Sequence, residues 1–175
     1  MKRTALLLIL TVLFAGCKSI EKNKKTPTPQ VITDARTGKP MLVGAATRQD
    51  LQKPPFDSWF NDEYYTYIVD TDILDTLKDK NFDVTIVMGT WCPDSRREVP
   101  RFYRIMDEID FPADKIKLIT VDRDKKAGKL NIRKLNIERI PTFIFYKNGK
   151  EIGRIVESPV ESLEADMVKI INGNN

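Results

Sequence analysis

The sequence contains no histidine and only two cysteines, Cys17 and Cys92, among its 175 residues. The absence of histidine excludes a Ser-His-Asp triad, a Cys-His protease pair and a zinc site with histidine ligands, because each needs an imidazole. Two cysteines are also too few for a four-thiolate metal site. The sequence therefore indicates no metal site and no cofactor, and it leaves thiol chemistry, carboxylate chemistry or binding as the open function classes.

The net charge of this chain is also small. The formal charge of +4 falls to +2 if the first sixteen residues, which carry Lys2 and Arg3, are removed. Such a weak and interspersed positive charge does not indicate nucleic acid as a partner. The hydrophobic fraction of 41% and the charged fraction of 31% fit a globular domain with its own core.

The first sixteen residues have the features of an export signal. Lys2-Arg3 is followed by an apolar stretch, Ala5 to Phe14, which is too short to span a bilayer but suits a secretory signal peptide. The stretch ends in Phe14-Ala15-Gly16-Cys17, where small residues directly precede a cysteine. We therefore predict a signal peptide over residues 1–16.

This ending resembles the lipobox of bacterial lipoproteins, with Phe14 where leucine is the commoner residue. The resemblance implies that Cys17 carries the lipid and that the protein is exported and membrane-anchored in the bacterial cell envelope. Lys18 is similar to the residue that follows the cysteine in outer-membrane lipoproteins, so we expect the outer membrane, with the domain facing the periplasm. The alternative is an ordinary signal peptide or short anchor followed by an inert cysteine.

Composition divides the rest of the chain into three parts. Residues 17–40 contain the lipidated cysteine and a flexible tether, rich in lysine, threonine and proline at its start. Residues 41–69 form an accessory extension, in which Phe56, Phe60 and Tyr64 recur at four-residue spacing as on one face of a helix. We expect this helix to pack its aromatic side chains on the main domain, residues 70–175.

Periodicity in the main domain predicts alternating strands and helices. The predicted strands are 83–88, 115–121, 142–146 and 151–156, and the predicted helices are 71–80, 93–109, 126–135 and 160–171. Asn148-Gly149, between the last two strands, is a strong hairpin signal. The order β-α-β-α-β-β-α predicts an α/β fold of three layers around a mixed sheet, preceded by the short helical extension.

Cys92 falls where the first strand of this domain gives way to a helix. The carboxyl ends of strands are the usual place for chemistry in an open α/β sheet. Unpaired N–H groups and the helix dipole there favour a thiolate over a thiol, and Arg96 and Arg97 act in the same direction while Asp94 opposes them. We therefore expect Cys92 to be a reactive nucleophile.

Residues around Cys92 resemble the thioredoxin family, over roughly residues 70–172. Trp91-Cys92-Pro93-Asp94-Ser95 is similar to the family's Trp-Cys-x-x-Cys active site, and Pro100 occupies the place of the proline that kinks the following helix. Ile140-Pro141-Thr142 matches the loop whose cis-proline faces the active-site sulfur. The lipobox, the extension and the phrase around Cys92 together look like thioredoxin-like lipoproteins of Bacteroidetes-type bacteria.

The resemblance implies roles for these residues. Cys92 would be the nucleophile and Pro141 the cis-proline that orients a bound substrate. The residues implied in binding are Trp91, Pro93, Asp94, Ile140 and Thr142. The implied partners are protein or small-molecule thiols and disulfides.

Two departures from the family concern chemistry. Ser95 stands where the dithiol enzymes have their resolving cysteine, and a hydroxyl does not usefully attack a mixed disulfide at neutral pH. Ile86 replaces the buried carboxylate that assists the resolving thiol in many thioredoxins. Dithiol reductase activity is therefore not expected.

Three functions are compatible with this motif. The first is a monothiol oxidoreductase, in which Cys92 forms a mixed disulfide, Ser95 donates a hydrogen bond to the thiolate and an external thiol resolves the adduct. The second is a non-catalytic binding or scaffold lipoprotein that uses the groove around Trp91 and Pro141. A peroxide-reducing thiol is the weakest, because Thr85 and Gly89 stand where the peroxidase motif needs proline and threonine.

Overall fold

A six-stranded mixed sheet lies at the centre of the structure, a computed structural model that describes residues 28–78 and 80–173. Its strands are β1 Gln30–Thr33, β2 Pro40–Ala46, β3 Asp83–Met88, β4 Ile116–Thr120, β5 Thr142–Lys147 and β6 Lys150–Val156. Across the sheet they lie in the order β1-β2-β4-β3-β5-β6, with β3 and β4 parallel and the other neighbours antiparallel. The predicted α/β fold class is confirmed.

The described helices are α1 Arg48–Leu51, α2 Asp57–Thr66, α3 Pro93–Glu108 and α4 Leu163–Asn172. Buried side chains of α3 and α4 join one face of the sheet, where they meet Val84, Ile86 and Met88 of β3. Because successive strand residues point to opposite faces, Val87 lies on the other face. There it packs with apolar side chains from the segment between β4 and β5. Strand β3 is therefore buried on both faces, which explains its nearly continuous apolar sequence.

Elements with strong local signals form where the sequence predicts them. Strand β3 has the predicted bounds, and α3 runs from Pro93 to Glu108 with Pro100 inside it. Strands β5 and β6 form the predicted hairpin. At its turn Asn148 has a φ of 53° and Gly149 a φ of 75°, the left-handed pair that the short hairpin turn requires.

Two of the predicted helices do not form α-helices in the structure. Residues 71–80 contain a short 3-10 helix, Leu74–Leu77, whose two leucines are both 1% exposed. Their three-residue spacing suits a 3-10 helix, in which residues i and i+3 share a face. Residues 126–135 are irregular except for a 3-10 turn at Arg133–Leu135. Gly128 has a positive φ within this range, and Lys125 and Asn136 have positive φ values directly before and after it, which a helix does not accommodate.

The predicted tether ends too late. Residues 30–40, assigned above to the tether, form β1 and lead into β2, and β2 pairs with β4 as well as with β1. Met41, Leu42 and Val43 are buried by this pairing. The burial depends on partners about 75 residues away in sequence, from Gly44 to Thr120, so local composition does not reveal it. The described extension is thus two strands and two helices.

Helix α2 packs on α3 as the aromatic spacing predicts. Phe60 is completely buried, and its ring lies 6.1 Å from the rings of both Tyr64 and Tyr103. Asp107 at the far end of α3 accepts hydrogen bonds from the Tyr64 hydroxyl and from Arg48 of α1. The extension is therefore attached to the helix that begins at Cys92.

The predicted signal peptide and the predicted lipid site at Cys17 lie outside the described residues. Within residues 28–78 and 80–173, none of the helices has both the length and the apolar character needed to cross a bilayer.

Candidate active site

Cys92 is the N-cap residue of α3, with an extended backbone at φ −88° and ψ 125°. Residues 89–92, which end at Cys92, form the site loop. It closes with a hydrogen bond from Cys92 N–H to the Gly89 carbonyl at 2.9 Å, and Arg96 N–H donates to the Cys92 carbonyl at 3.0 Å. Pro93 at the first helical position costs no hydrogen bond, because that N–H has no partner within a helix. The thiol therefore stands at the helix start, as predicted.

The loop before β5 faces this sulfur. The Ile140–Pro141 peptide bond is cis, as the sequence resemblance implies. The Cys92 thiol donates to the Ile140 carbonyl at 3.5 Å, and Thr142 anchors the loop by donating from Oγ1 to the Arg139 carbonyl at 2.7 Å. The structure thus brings Cys92, Ile140, Pro141 and Thr142 together.

Trp91 covers one side of the thiol. Its indole N–H donates to the Val121 carbonyl at 3.0 Å, and the half-buried ring packs in the same apolar cluster as Cys92 and Ile140. Cys92 itself keeps 8% exposure. Little of Cys92 is therefore accessible to a partner in this arrangement.

Ser95 lies in the first turn of α3, three residues after Cys92, and it is completely buried. Its hydroxyl oxygen accepts a hydrogen bond from Gly89 N–H at 3.3 Å. In the described part of the chain no hydrogen bond joins Ser95 to Cys92, so the expected donation to the thiol is absent from this arrangement. Ser95 instead holds the site loop against the helix.

Asp94 and Pro93 lie on the outer side of the helix start. Pro93 is exposed, and Asp94 pairs with Arg97 at 2.9 Å. Arg97 also donates to Glu98 at 2.6 Å and to Ser158 at 2.9 Å. The prediction that Arg97 acts on the sulfur is therefore not supported, because its guanidinium is held by two carboxylates and a hydroxyl.

Sequence reasoning missed a second group of residues that touch the site loop. Arg123 lies over the Trp91 ring, with its guanidinium carbon 4.6 Å from the ring centre, and Asp34 binds it through Nε at 2.9 Å and Nη2 at 2.6 Å. The hydrogen bond from Arg123 holds the pKa of Asp34 well below its usual range. Asp34 and Arg123 are 89 residues apart, so no local motif connects them.

The extension contacts the site loop at two further points. Leu42 N–H of β2 donates to the buried Thr90 hydroxyl at 3.0 Å. Arg96 donates from Nε to the Thr90 carbonyl at 2.5 Å, and its guanidinium carbon lies 5.7 Å from the centre of the Trp59 ring in α2. The extension is therefore part of the wall of the site.

Gly89 is the position at which the site loop is most closely packed. A Cβ there would lie 2.7 Å from Trp91 Nε1 and 2.8 Å from Ile140 Cδ1, distances too short for van der Waals contact. We expect Gly89→Ala to displace both side chains and to lower the free energy of unfolding by about 1–3 kcal/mol, as overpacking does. Urea denaturation and near-ultraviolet circular dichroism measure the two effects. Gly38→Ala meets no atom within 4 Å but is strained by its φ of +68°, so it should lower the free energy of unfolding without changing the near-ultraviolet spectrum of Trp91.

The family model for thioredoxin matches residues 68–169. Thioredoxin Y from the chloroplast of Oryza sativa subsp. japonica is 28% identical over 121 residues, which are 68% of this chain and 60%, less than two thirds, of that protein. A thioredoxin of Malassezia sympodialis is 34% identical over 78 residues, 44% of this chain and 70% of that protein.

Solved structures are similar as well. A Pseudomonas aeruginosa protein of unknown function has a TM-score of 0.48 and 16% identity, over 66% of this chain and 81% of that one. Fasciola hepatica thioredoxin has a TM-score of 0.38 and 21% identity, over 59% of this chain and 89% of that one. Thioredoxin-like proteins act on thiol or disulfide substrates. On the match over residues 68–169, the chain belongs to the thioredoxin family.

Proposed function

We propose that this protein is a monothiol oxidoreductase that works through Cys92. The observation that carries the proposal is the position of this thiol at the start of α3, opposite the cis Ile140–Pro141 bond, with Ser95 at the resolving position. The helix terminus supplies unpaired N–H groups that stabilise a thiolate, and no imidazole is needed for that. The Cys92 sulfur is therefore the nucleophile.

The first step is exchange with a substrate disulfide. The Cys92 thiolate attacks one sulfur of the substrate, a new sulfur–sulfur bond forms, and the substrate's own disulfide bond breaks. The electron pair of that bond leaves with the second substrate sulfur as a thiolate. Pro141 and Ile140 form the wall against which the bound substrate lies.

The second step needs a thiol from another molecule. Ser95 is buried and already accepts a hydrogen bond from Gly89, and a hydroxyl is a poor nucleophile toward sulfur at neutral pH. An external thiolate therefore attacks the mixed disulfide, forms a new disulfide with the substrate sulfur and releases Cys92 as a thiolate. A second external thiolate then attacks the external sulfur of that disulfide and releases the remaining substrate sulfur as a thiolate, so that two external thiols are oxidised to a disulfide and the substrate disulfide is reduced by two electrons.

The full chain carrying Cys17→Ser provides the test, since Cys92 is then its sole thiol. Incubation with cystamine is expected to add one cysteamine to the protein by intact mass, and added glutathione is expected to remove it. A protein that forms no adduct when folded, yet forms one in urea, would contradict the proposal.

A non-catalytic binding module is the second candidate, and one observation favours it. The Cys92 thiol is 8% exposed and donates to the Ile140 carbonyl, which is the environment of an inert, packed cysteine. This function predicts partners that are recovered equally well with Cys92 and with Cys92→Ala. The monothiol function predicts partners that are lost in the mutant and released by a reductant.

We propose further that Cys17 is lipidated after removal of residues 1–16 and that the domain faces the periplasm from the outer membrane. The resemblance of Phe14-Ala15-Gly16-Cys17 to a lipobox supports this, as does the similarity to thioredoxin-like lipoproteins of Bacteroidetes-type bacteria.

Cys17→Ser is expected to abolish the incorporation of an alkyne-labelled fatty acid and to move the protein from the membrane fraction to the soluble fraction. Lys25→Gln, a substitution in the same segment of the chain that keeps Cys17, serves as the control. Labelling that persists in Cys17→Ser would refute the lipid site.

A further inference from the structure

An arginine guanidinium lies over the ring of each of the two tryptophans, and both arginines lie beside the site loop. The Arg123 guanidinium carbon is 4.6 Å from the centre of the Trp91 ring, and that of Arg96 is 5.7 Å from the centre of the Trp59 ring. A guanidinium on an indole face keeps its charge and its in-plane N–H donors while it loses conformational freedom. The two cations are therefore held in place without being neutralised by the rings.

Arg96 has no carboxylate partner within residues 28–78 and 80–173. Its Nε donates to the Thr90 carbonyl at 2.5 Å, and this leaves both terminal nitrogens available as donors. Arg97, the next residue, is different because Asp94, Glu98 and Ser158 occupy its guanidinium. Arg96 is thus an uncompensated positive charge one helical turn from Cys92.

Arg123 is anchored on one edge and open on the other. Asp34 binds Nε and Nη2, so Nη1 keeps two donors, and the side chain is 24% exposed. The pKa of Arg123 is raised mainly by the hydrogen bond to Asp34, with a smaller contribution from the charge of Cys92. Arg123 therefore keeps free donors over the ring of Trp91, the residue next to Cys92.

We propose that Arg96 and Arg123 form an anion-binding pair that selects substrates with a carboxylate close to the disulfide. The inference rests on the monothiol function and names its substrate class. Arg96 contacts Thr90 and Arg123 contacts Trp91, which are adjacent residues of the site loop, so both guanidiniums lie beside the loop that ends at Cys92. Planar guanidiniums with free donors match the geometry of a carboxylate.

The reaction itself is unchanged by this selection. The Cys92 thiolate forms a bond to one sulfur of the anionic disulfide, the substrate's sulfur–sulfur bond breaks, and the electron pair leaves on the second, carboxylate-bearing thiolate. The arginine pair binds the carboxylate group before and during this exchange. It takes no part in moving electrons or protons.

The test compares an anionic with an uncharged disulfide on the same protein. The full chain with Cys17→Ser is reacted with 5,5′-dithiobis(2-nitrobenzoate), which carries a carboxylate on each ring, and with uncharged 2,2′-dithiodipyridine. The measured quantity is the second-order rate constant for the anionic disulfide divided by that for the uncharged disulfide. The ratio is compared only among variants that remain folded by circular dichroism, because unfolded chain reacts with both disulfides without selection. Arg96→Gln leaves no carboxylate of the described residues unpaired, so it keeps the test decisive if Arg123→Gln unfolds by leaving Asp34 unpaired.

Arg96→Gln and Arg123→Gln are each expected to lower this ratio about two- to fivefold, the size typical of a partly exposed ion pair. Arg123→Lys should keep part of the preference, because it keeps the charge without the planar fork. The control is Arg104→Gln, which removes the same charge from the distal half of α3, where Arg104 pairs with Glu108. Raising the salt concentration should lower this ratio in the parent protein and in the control, because salt screens the attraction between the arginines and the carboxylate.

The outcomes separate this inference from the proposed function. If Arg96→Gln and Arg123→Gln leave the ratio unchanged, or if Arg104→Gln lowers it equally, the anion-binding pair is wrong and the monothiol function stands. If the parent protein reacts with neither disulfide, the monothiol function is wrong and the selection has no reaction to act on.

Discussion

Cys92→Ser in the Cys17→Ser chain is expected to reduce mixed-disulfide formation with any disulfide substrate to the level of the uncatalysed background. Sulfur is the atom that bonds to the substrate, and a serine hydroxyl at the same position remains protonated at neutral pH. The measurement is intact mass after incubation with cystamine, with unreacted protein counted as a fraction of the total.

The substitution is nearly isosteric, so the fold is expected to persist. The serine hydroxyl can donate to the Ile140 carbonyl in place of the thiol, which the circular dichroism spectrum and the urea midpoint would report. Unfolding by this substitution would leave the loss of reaction unexplained, and Cys92→Ala then serves as the second variant. Because this variant contains no thiol, a gain of the same mass would show that the adduct of the parent protein is not a mixed disulfide at Cys92.

Ser95→Cys is expected to create a dithiol site and to introduce turnover in a disulfide reduction assay with dithiothreitol. Residues 92 and 95 lie three apart across the first turn of α3, a spacing at which two Cβ atoms come within the range of a disulfide. Ser95 is buried, and within residues 28–78 and 80–173 its hydroxyl bonds only to Gly89 N–H, so the new thiol meets no other competing partner there. Oxidation should therefore close an internal bond.

The readout is a mass loss of two hydrogens on oxidation, together with the loss of both alkylation sites. Ser58→Cys adds a thiol on the exposed side of α2 and is the matched control, in which no internal bond should close. Failure of Cys92 and the new thiol to pair under oxidising conditions would show that the loop conformation, stabilised by the bond from Gly89 to residue 95, is not compatible with a dithiol.

Local signals were sufficient for the centre of the fold. The β-branched and apolar run of β3, the amphipathic spacing of α3 and the Asn148-Gly149 turn each determine structure within about ten residues, and each was predicted correctly. The cis bond at Pro141 was available through family resemblance instead. These elements place Cys92, Trp91 and Pro141, so the centre of the candidate site could be predicted.

Long-range contacts determined the features that were missed. Strands β1 and β2 exist because β2 pairs with β4, and the loop at 126–135 is irregular because left-handed residues interrupt it while its apolar side chains still reach the sheet. The pair Asp34 and Arg123 joins residues 89 positions apart. A single sequence contains the residues of such contacts but not their proximity.

The contacts of the site loop also determine which fragment of this protein would keep the surroundings of its thiol. The family match begins at residue 68, whereas Asp34, Leu42 and Trp59, which hold Arg123, Thr90 and Arg96, all precede it. A fragment trimmed to residues 68–169 would retain every residue of the thioredoxin motif and lose all three of these supports. The unit that this chain shares with thioredoxins is therefore smaller than the unit that shapes its thiol site.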